Sequence, residues 1–246
     1  MSVTAAPVCQ GDGWTEIDNA QLVPYEGTDY AAFAPRAEKI SIDGDLSDFQ
    51  KSAPIPLLGE NQVKALDPAY VWSPKNASAA AYFNYDENFL YLGVEVLDDR
   101  HVADRTEAEC ANYDSVRVAI HPMNRLPGEE SRAFCFDLSS AAPGGSGKHT
   151  LYRPAEYSGG LKSGSLAKDS SVYDFVVKRD GNRTVYELAM PWSDLGGPAG
   201  IIGTKIGVSL RLTDCDAQKP AAYLLWGEGL YPAWSPSSFG VLTLTK

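Results

Sequence analysis

The chain has 246 residues, of which 44% are hydrophobic, 22% charged and 11% aromatic, so it is long enough for one large domain with a full core. A formal net charge of −11 excludes a nucleic-acid surface, which needs clustered Lys and Arg to neutralise phosphates. No run is long and apolar enough for a membrane span, and the first residues lack the basic and apolar regions of a signal peptide, so the chain reads as the mature part of a secreted or cell-surface protein.

Residues 1–38 carry no sustained periodicity and are punctuated by Pro7, Gly11, Gly13, Pro24 and Gly27, which predicts an N-terminal arm packed on the domain. From Ile40 to the end, short apolar runs alternate with turn clusters, the pattern of a sandwich or barrel. In Val116, Val118 and Ile120 against Arg117, Ala119 and His121, the two-residue period predicts a half-buried strand. Phe134, Phe136 and Leu138 repeat it, with Cys135 and Asp137 on the other face. Residues 139–171 are rich in Gly and Ser and read as an insertion at one end of the sandwich.

Tyr173, Phe175 and Val177 then lead into Arg179-Asp180-Gly181-Asn182, and residues 185–190 return, which predicts a hairpin. Ile206, Val208, Leu210 and Leu212 form another alternating run, followed by strands at 223–226 and 241–244. The fold class is therefore all-β, a two-sheet antiparallel β-sandwich with few helices, with residues 39–246 as one domain.

Four cysteines, Cys9, Cys110, Cys135 and Cys215, lie far apart and form no C-x-x-C pair, which excludes a zinc knuckle or a thioredoxin motif. They are disulfide candidates with three possible connectivities, set against four buried free thiols. The three histidines, His101, His121 and His149, have no metal-ligand spacing, and the Pro143–His149 loop fits neither a phosphate loop nor a nucleophile elbow. Glu16 and Asp18 echo a glucanase pattern without its completing Glu, so the chain reads as a non-enzyme, with a glycoside hydrolase as a minority reading. The acidic residues Asp43, Asp45, Asp98, Asp99 and Asp214, with Asp48 and Asp216 nearby, are candidate oxygen ligands for structural calcium, set against ordinary turn caps. Trp72, Trp226, Tyr231 and Trp234 lie in or beside Pro- and Gly-containing loops, where an aromatic ring can stack on the apolar face of a sugar.

Six stretches occur in a telling order. They are Ile42-Asp43-Gly44-Asp45-Leu46-Ser47-Asp48-Phe49, residues 85–99 from Tyr-Asp-Glu-Asn to Leu-Asp-Asp, Asp114-Ser115-Val116, residues 186–192 ending in Met190-Pro191-Trp192, Thr213-Asp214, and residues 234–240 from Trp234 to Gly240. In these the chain resembles family 9 carbohydrate-binding modules, a branch of the DOMON-like sandwiches, over residues 38–246 apart from the insertion. The resemblance implies structural calcium and a sugar site of two tryptophans with polar side chains between them. Trp234 matches the C-terminal stacking tryptophan. The other, just before Asp-Ser-Val, is replaced here by Cys110-Ala111-Asn112-Tyr113; Arg117 stands where sugar-binding members have a glutamate, and Cys135 aligns with their arginine.

The expected function is a secreted noncatalytic carbohydrate-binding module using Trp234 and Arg117, with Tyr113, Trp72 or Trp226 as further contacts. Two alternatives stand beside it. One is a structural or adhesive extracellular sandwich, part of a protein assembly, that has lost sugar binding, marked by a buried Trp234 with no open groove beside Arg117; a bridge from Cys135 to Cys110 is a separate way to close the old pocket. The other is a haem-binding electron-transfer domain of the DOMON type using Met190 and His121.

Overall fold

The computed structural model describes residues 30–103, 107–140, 149–166, 172–196, 200–217 and 219–246. Cys9, the Glu16–Asp18 echo and most of the expected arm lie outside them. In chain order the strands are β1 (Ala31–Pro35), β2 (Ile55–Leu57), β3 (Val63–Ala65), β4 (Ala77–Tyr85), β5 (Phe89–Asp98), β6 (Ser115–His121) and β7 (Phe134–Ser140). They continue with β8 (His149–Arg153), β9 (Gly164–Ser165), β10 (Asp174–Asp180), β11 (Arg183–Pro191), β12 (Lys205–Asp214), β13 (Ala222–Trp226) and β14 (Gly240–Thr245). The only α-helix among the described residues is the single turn α1 (Trp192–Leu195).

Two sheets form a β-sandwich. The larger runs β1-β14-β12-β6-β7-β8-β9, with β13 also pairing with β12 and β3 with β13; the smaller runs β10-β11-β5-β4-β2. Alternation decides what lies between them. Leu90, Leu92, Val94 and Val96 of β5 face Val116, Val118 and Ile120 of β6 and Val208, Leu210 and Leu212 of β12 across one buried core. Each such side chain contributes about 1.5–3 kcal/mol on burial.

The predicted hairpin is β10–β11, with Asp180 opposite Arg183. Gly181 begins its two-residue turn at φ 57°, a left-handed value that glycine adopts without a Cβ clash. Residues 37–50 strap the outer face of the smaller sheet, where Ala37, Ile40, Leu46 and Phe49 cover Ala80, Tyr82, Val185 and Ala189. Gly93 permits that cover, because a Cβ there would sit 2.6 Å from Leu46 Cδ2.

Two expectations need correction. The end of the supposed arm is a strand of the sheet, since β1 pairs parallel with β14 in register Ala31 to Val241. The 139–171 segment is also not simply a loop, because β8 and β9 extend the larger sheet beyond β7. Arg153 anchors it in the core. Its guanidinium lies 4.6 Å from the Phe136 ring centre and donates to Asp194 Oδ2 at 2.8 Å.

Candidate functional site

Each sheet also has an outer face, and on the larger sheet that face carries two of the residues expected to bind sugar, Arg117 and Trp234. Arg117 of β6 lies between Asp137 of β7 and Arg211 of β12. It donates through Nε to Asp137 Oδ1 at 2.6 Å and through Nη2 to Asp137 Oδ2 at 2.8 Å. Burial works against the Arg117 charge, but Asp137 more than offsets it and raises the pKa above the usual arginine value. Arg211 is also buried, with its guanidinium 4.4 Å from the Tyr223 ring centre and Nη2 donating to Ala111 O at 3.1 Å. Burial lowers its pKa.

Trp234 is half-buried on this face. Tyr157 stacks on it with ring centres 4.5 Å apart and planes at 21°, and Phe239 meets it edge-on at 5.3 Å. Arg117 in turn lies 5.9 Å from the Tyr157 ring centre. Tyr157 arrives from the insertion, where Ser158 bridges to Phe134 of β7. A sugar sandwiched between two rings needs them about two stacking distances apart, roughly twice the spacing of an ordinary aromatic pair. The ring facing Trp234 is therefore its own packing partner, and Arg117 is already engaged by a carboxylate.

The other expected contacts fall elsewhere. Trp226 is a core residue, because its place opposite Leu210 turns it inward, and it is 1% exposed. Tyr113 is buried as well. Trp72 packs against the main core, with Nε1 donating to Ala77 O at 2.9 Å. No aromatic platform is made by these three.

The expected bridges are also absent among the described cysteines: Cys110, Cys135 and Cys215 are free and buried. Cys215 donates its thiol to the carbonyls of Ala217 and Lys219 at 3.0 and 3.2 Å. Burial pushes the Cys135 thiol up to about 12 and the Cys215 thiol up to about 11, so both stay protonated and unreactive. The haem pair does not assemble either. Met190 lies in the core between the sheets, whereas His121, next to inward-facing Ile120, sits on the outer face and accepts from Met123 N at 3.3 Å.

Three residues from Trp234, the same loop shows a different surface. Tyr231 is 39% exposed and meets Tyr223 edge-on at 5.7 Å. Beside it runs an open groove of about 600 Å³ where Tyr30, Asn61, Lys64, Glu228 and Ser235 supply polar atoms. An apolar ring with convergent donors and acceptors is the composition of a small-ligand site. The sequence offers Tyr231 among the loop aromatics able to stack on a sugar, but the resemblance does not single it out. Asn61 and Lys64 reach the groove only because β3 pairs with β13.

The acidic candidates separate into two places. Asp43 and Asp45 belong to the strap, where Asp43 Oδ1 accepts from Asp45 N at 2.9 Å and Asp45 Oδ1 from Ser47 N at 3.0 Å. These are turn-capping roles. Asp98 and Asp214 are buried at one end of the core, with Asp114 and His101 beside them, while Asp99 is exposed. Burial, then Asp98, raises the Asp114 pKa well above the carboxylate range, although the amides of Val102 and Cys215 oppose that shift. Burial likewise pushes Asp214 up to about 7, against a hydrogen bond from the Tyr70 hydroxyl. Calcium takes six to eight oxygen ligands. This cluster includes an imidazole and has few free oxygens, so its donor set does not match a calcium cage.

No protein-family model matches the chain, and no curated protein matches it. Solved structures do. A family 9 carbohydrate-binding module from Caldicellulosiruptor kristjanssonii in complex with cellotriose is 17% identical with a TM-score of 0.59, over 87% of this chain and 93% of that one. The same organism's module in complex with glucose gives 17%, 0.59, 87% and 95%. A Bacteroides uniformis protein named for carbohydrate binding gives 13%, 0.58, 87% and 98%. At these identities the likeness establishes the fold: this chain is a β-sandwich of the kind found in family 9 carbohydrate-binding modules.

Proposed function

We propose that this chain is an exported, noncatalytic module that binds a polysaccharide or oligosaccharide, and that the sugar lies in the groove beside Tyr231. The observation that carries this reading is the exposed Tyr231 ring over a groove edged by Asn61, Lys64 and Glu228, on a sandwich whose solved counterparts hold cellotriose and glucose. The ring offers its apolar face to the C–H side of a pyranose. The amide, ammonium and carboxylate take its hydroxyls. Among the described residues that line the groove Glu228 is the one carboxylate, so no pair is placed to divide acid and base roles.

The test is calorimetric titration with cello-, xylo- and manno-oligosaccharides. Tyr231→Ala is expected to weaken the best ligand by about tenfold or more, the cost of losing a central aromatic contact. Unchanged affinity in that variant would sink the groove assignment.

A second reading, a structural or adhesive sandwich without a sugar site, is favoured by one specific observation. The Trp234 ring is taken by Tyr157, and Arg117 by Asp137. It predicts that no glycan binds the wild-type protein at millimolar concentration.

A further inference from the structure

Three rows of inward-facing residues end in aspartate at the same end of the sandwich. The β5 row runs from Leu90 to Val96 and ends at Asp98; the β6 row runs from Ile120 to Val116 and, two residues before, reaches Asp114; the β12 row runs from Ile206 to Leu212 and ends at Asp214. All three are buried, at 3%, 4% and 2% exposure. The alternation that builds the core thus delivers three carboxylates into one enclosed space, where an uncompensated negative charge is costly.

His101 reaches into that space. Its Nδ1 lies 3.4 Å from Asp98 Oδ2 and 3.6 Å from Asp114 Oδ2, and the three atoms fall within one ligand sphere. Asp98 Oδ2, His101 Nε2 and Asp214 Oδ1 are buried without a hydrogen-bond partner. Asp98 Oδ1 accepts from Arg100 N at 2.9 Å and Asp114 Oδ1 from Cys215 N at 2.7 Å, while Asp114 Oδ2 also accepts from Val102 N and Asp98 Oδ2 lies 3.6 Å from Arg179 Nη1. These contacts orient the two carboxylates so that Oδ2 of each also faces the imidazole.

Two of the three separations match a small cation. In a tetrahedral site with metal–ligand distances of about 2.0–2.2 Å, neighbouring ligand atoms are roughly 1.6 times that apart, about 3.3–3.6 Å. The two His101 separations fall in that range. We propose that this pocket binds one zinc-class divalent cation through Asp98 Oδ2, Asp114 Oδ2 and His101 Nδ1. Such a cation neutralises the buried carboxylates and ties His101 to the ends of β5 and β6. Imidazole selects a borderline cation over calcium, which prefers oxygen throughout.

The experiment uses the full chain stripped with a chelator and then titrated separately with ZnCl₂, MnCl₂ and CaCl₂, read by calorimetry and by thermal unfolding. One equivalent of zinc is expected to bind and to raise the midpoint more than calcium does at equal concentration. Cobalt(II) should give the intense visible absorption of a tetrahedral centre. His101→Ala should lose zinc affinity by more than the roughly 10–100-fold that removal of an outer-shell partner costs, while its metal-free unfolding midpoint stays near that of the stripped wild type. Asp114→Asn should do the same to zinc affinity, as an independent second variant. The proposal is overturned if the stripped wild type takes up no stoichiometric zinc, or if calcium gives the larger shift and His101→Ala leaves it intact.

Discussion

Tyr231 and Trp234 are three residues apart in one loop, yet one faces an open groove and the other is packed between Tyr157 and Phe239. Both are aromatic, both lie within two residues of a proline, and both are sugar platforms by type alone. What separates them is a partner 77 residues away: the insertion returns across β7 and places Tyr157 on the indole. A ring becomes a binding surface only when nothing else in the chain needs its face. On this account the Trp234 side is scaffold and the Tyr231 side is function.

The largest effect that sharpens this contrast lies beneath Tyr157. Arg117→Ala leaves Asp137, 1% exposed, without its bidentate partner, and chemical denaturation should show a loss of about 3–5 kcal/mol. Replacing Arg117 and Asp137 together by leucine should recover part of that loss, because the pair leaves together while the buried Arg211 loses the nearby Asp137 charge. Next in size, Trp234→Ala should cost about 2–3 kcal/mol, less than truncating a fully buried tryptophan because the ring is only half-covered. A variant that kept wild-type stability would break the scaffold assignment.

The opposite sheet provides a control that touches neither ring. Glu187 is buried under the strap, where Oε2 accepts from Asp43 N at 2.8 Å and Gly44 N at 2.6 Å. Burial pushes its pKa up to about 7. Because the folded value lies above the unfolded one, the native state holds the extra proton between about pH 4.5 and 7, and stability falls as pH rises through that window. The slope amounts to about 1–3 kcal/mol across it. Glu187→Gln should remove this contribution, leaving that of Asp114 and Asp214, in denaturation curves taken at about pH 4.5, 6 and 8. The smallest stability effect belongs to Tyr231→Ala, expected within about 0.5 kcal/mol of wild type for a surface change away from the core.

Much of the scaffold was legible because alternation is local. The inward rows of β6, β7 and β12 and the β10–β11 turn follow from residues close together in sequence. The strand β8 escaped notice because Leu151 is the only aliphatic side chain in His149–Arg153, too few for a period to show. The strand β1 escaped because Ala31, Ala32 and Ala34 look like a tail until the C-terminal strand lies beside them.

The sites were harder to read. Trp234 was found by resemblance, but its stacking partner lies in an insertion that the resemblance does not cover. Asp98 and Asp214 were visible as acidic turn residues, whereas His101 and Asp114 were passed over as ligands. A signal for Asp114 did exist: extending the inward period of β6 two residues backward lands on it, as extending β5 and β12 forward lands on Asp98 and Asp214. His101 had no such signal, since it follows β5 in irregular chain and its approach to Asp98 depends on the fold.

The most direct measurement is a paired titration of wild type, Tyr231→Ala and Trp234→Ala with the best-binding oligosaccharide, each at a temperature where it is folded. The account predicts that Tyr231→Ala loses about tenfold or more in affinity while Trp234→Ala binds like wild type despite its lower stability. Lost affinity in Trp234→Ala with full binding retained in Tyr231→Ala would contradict it.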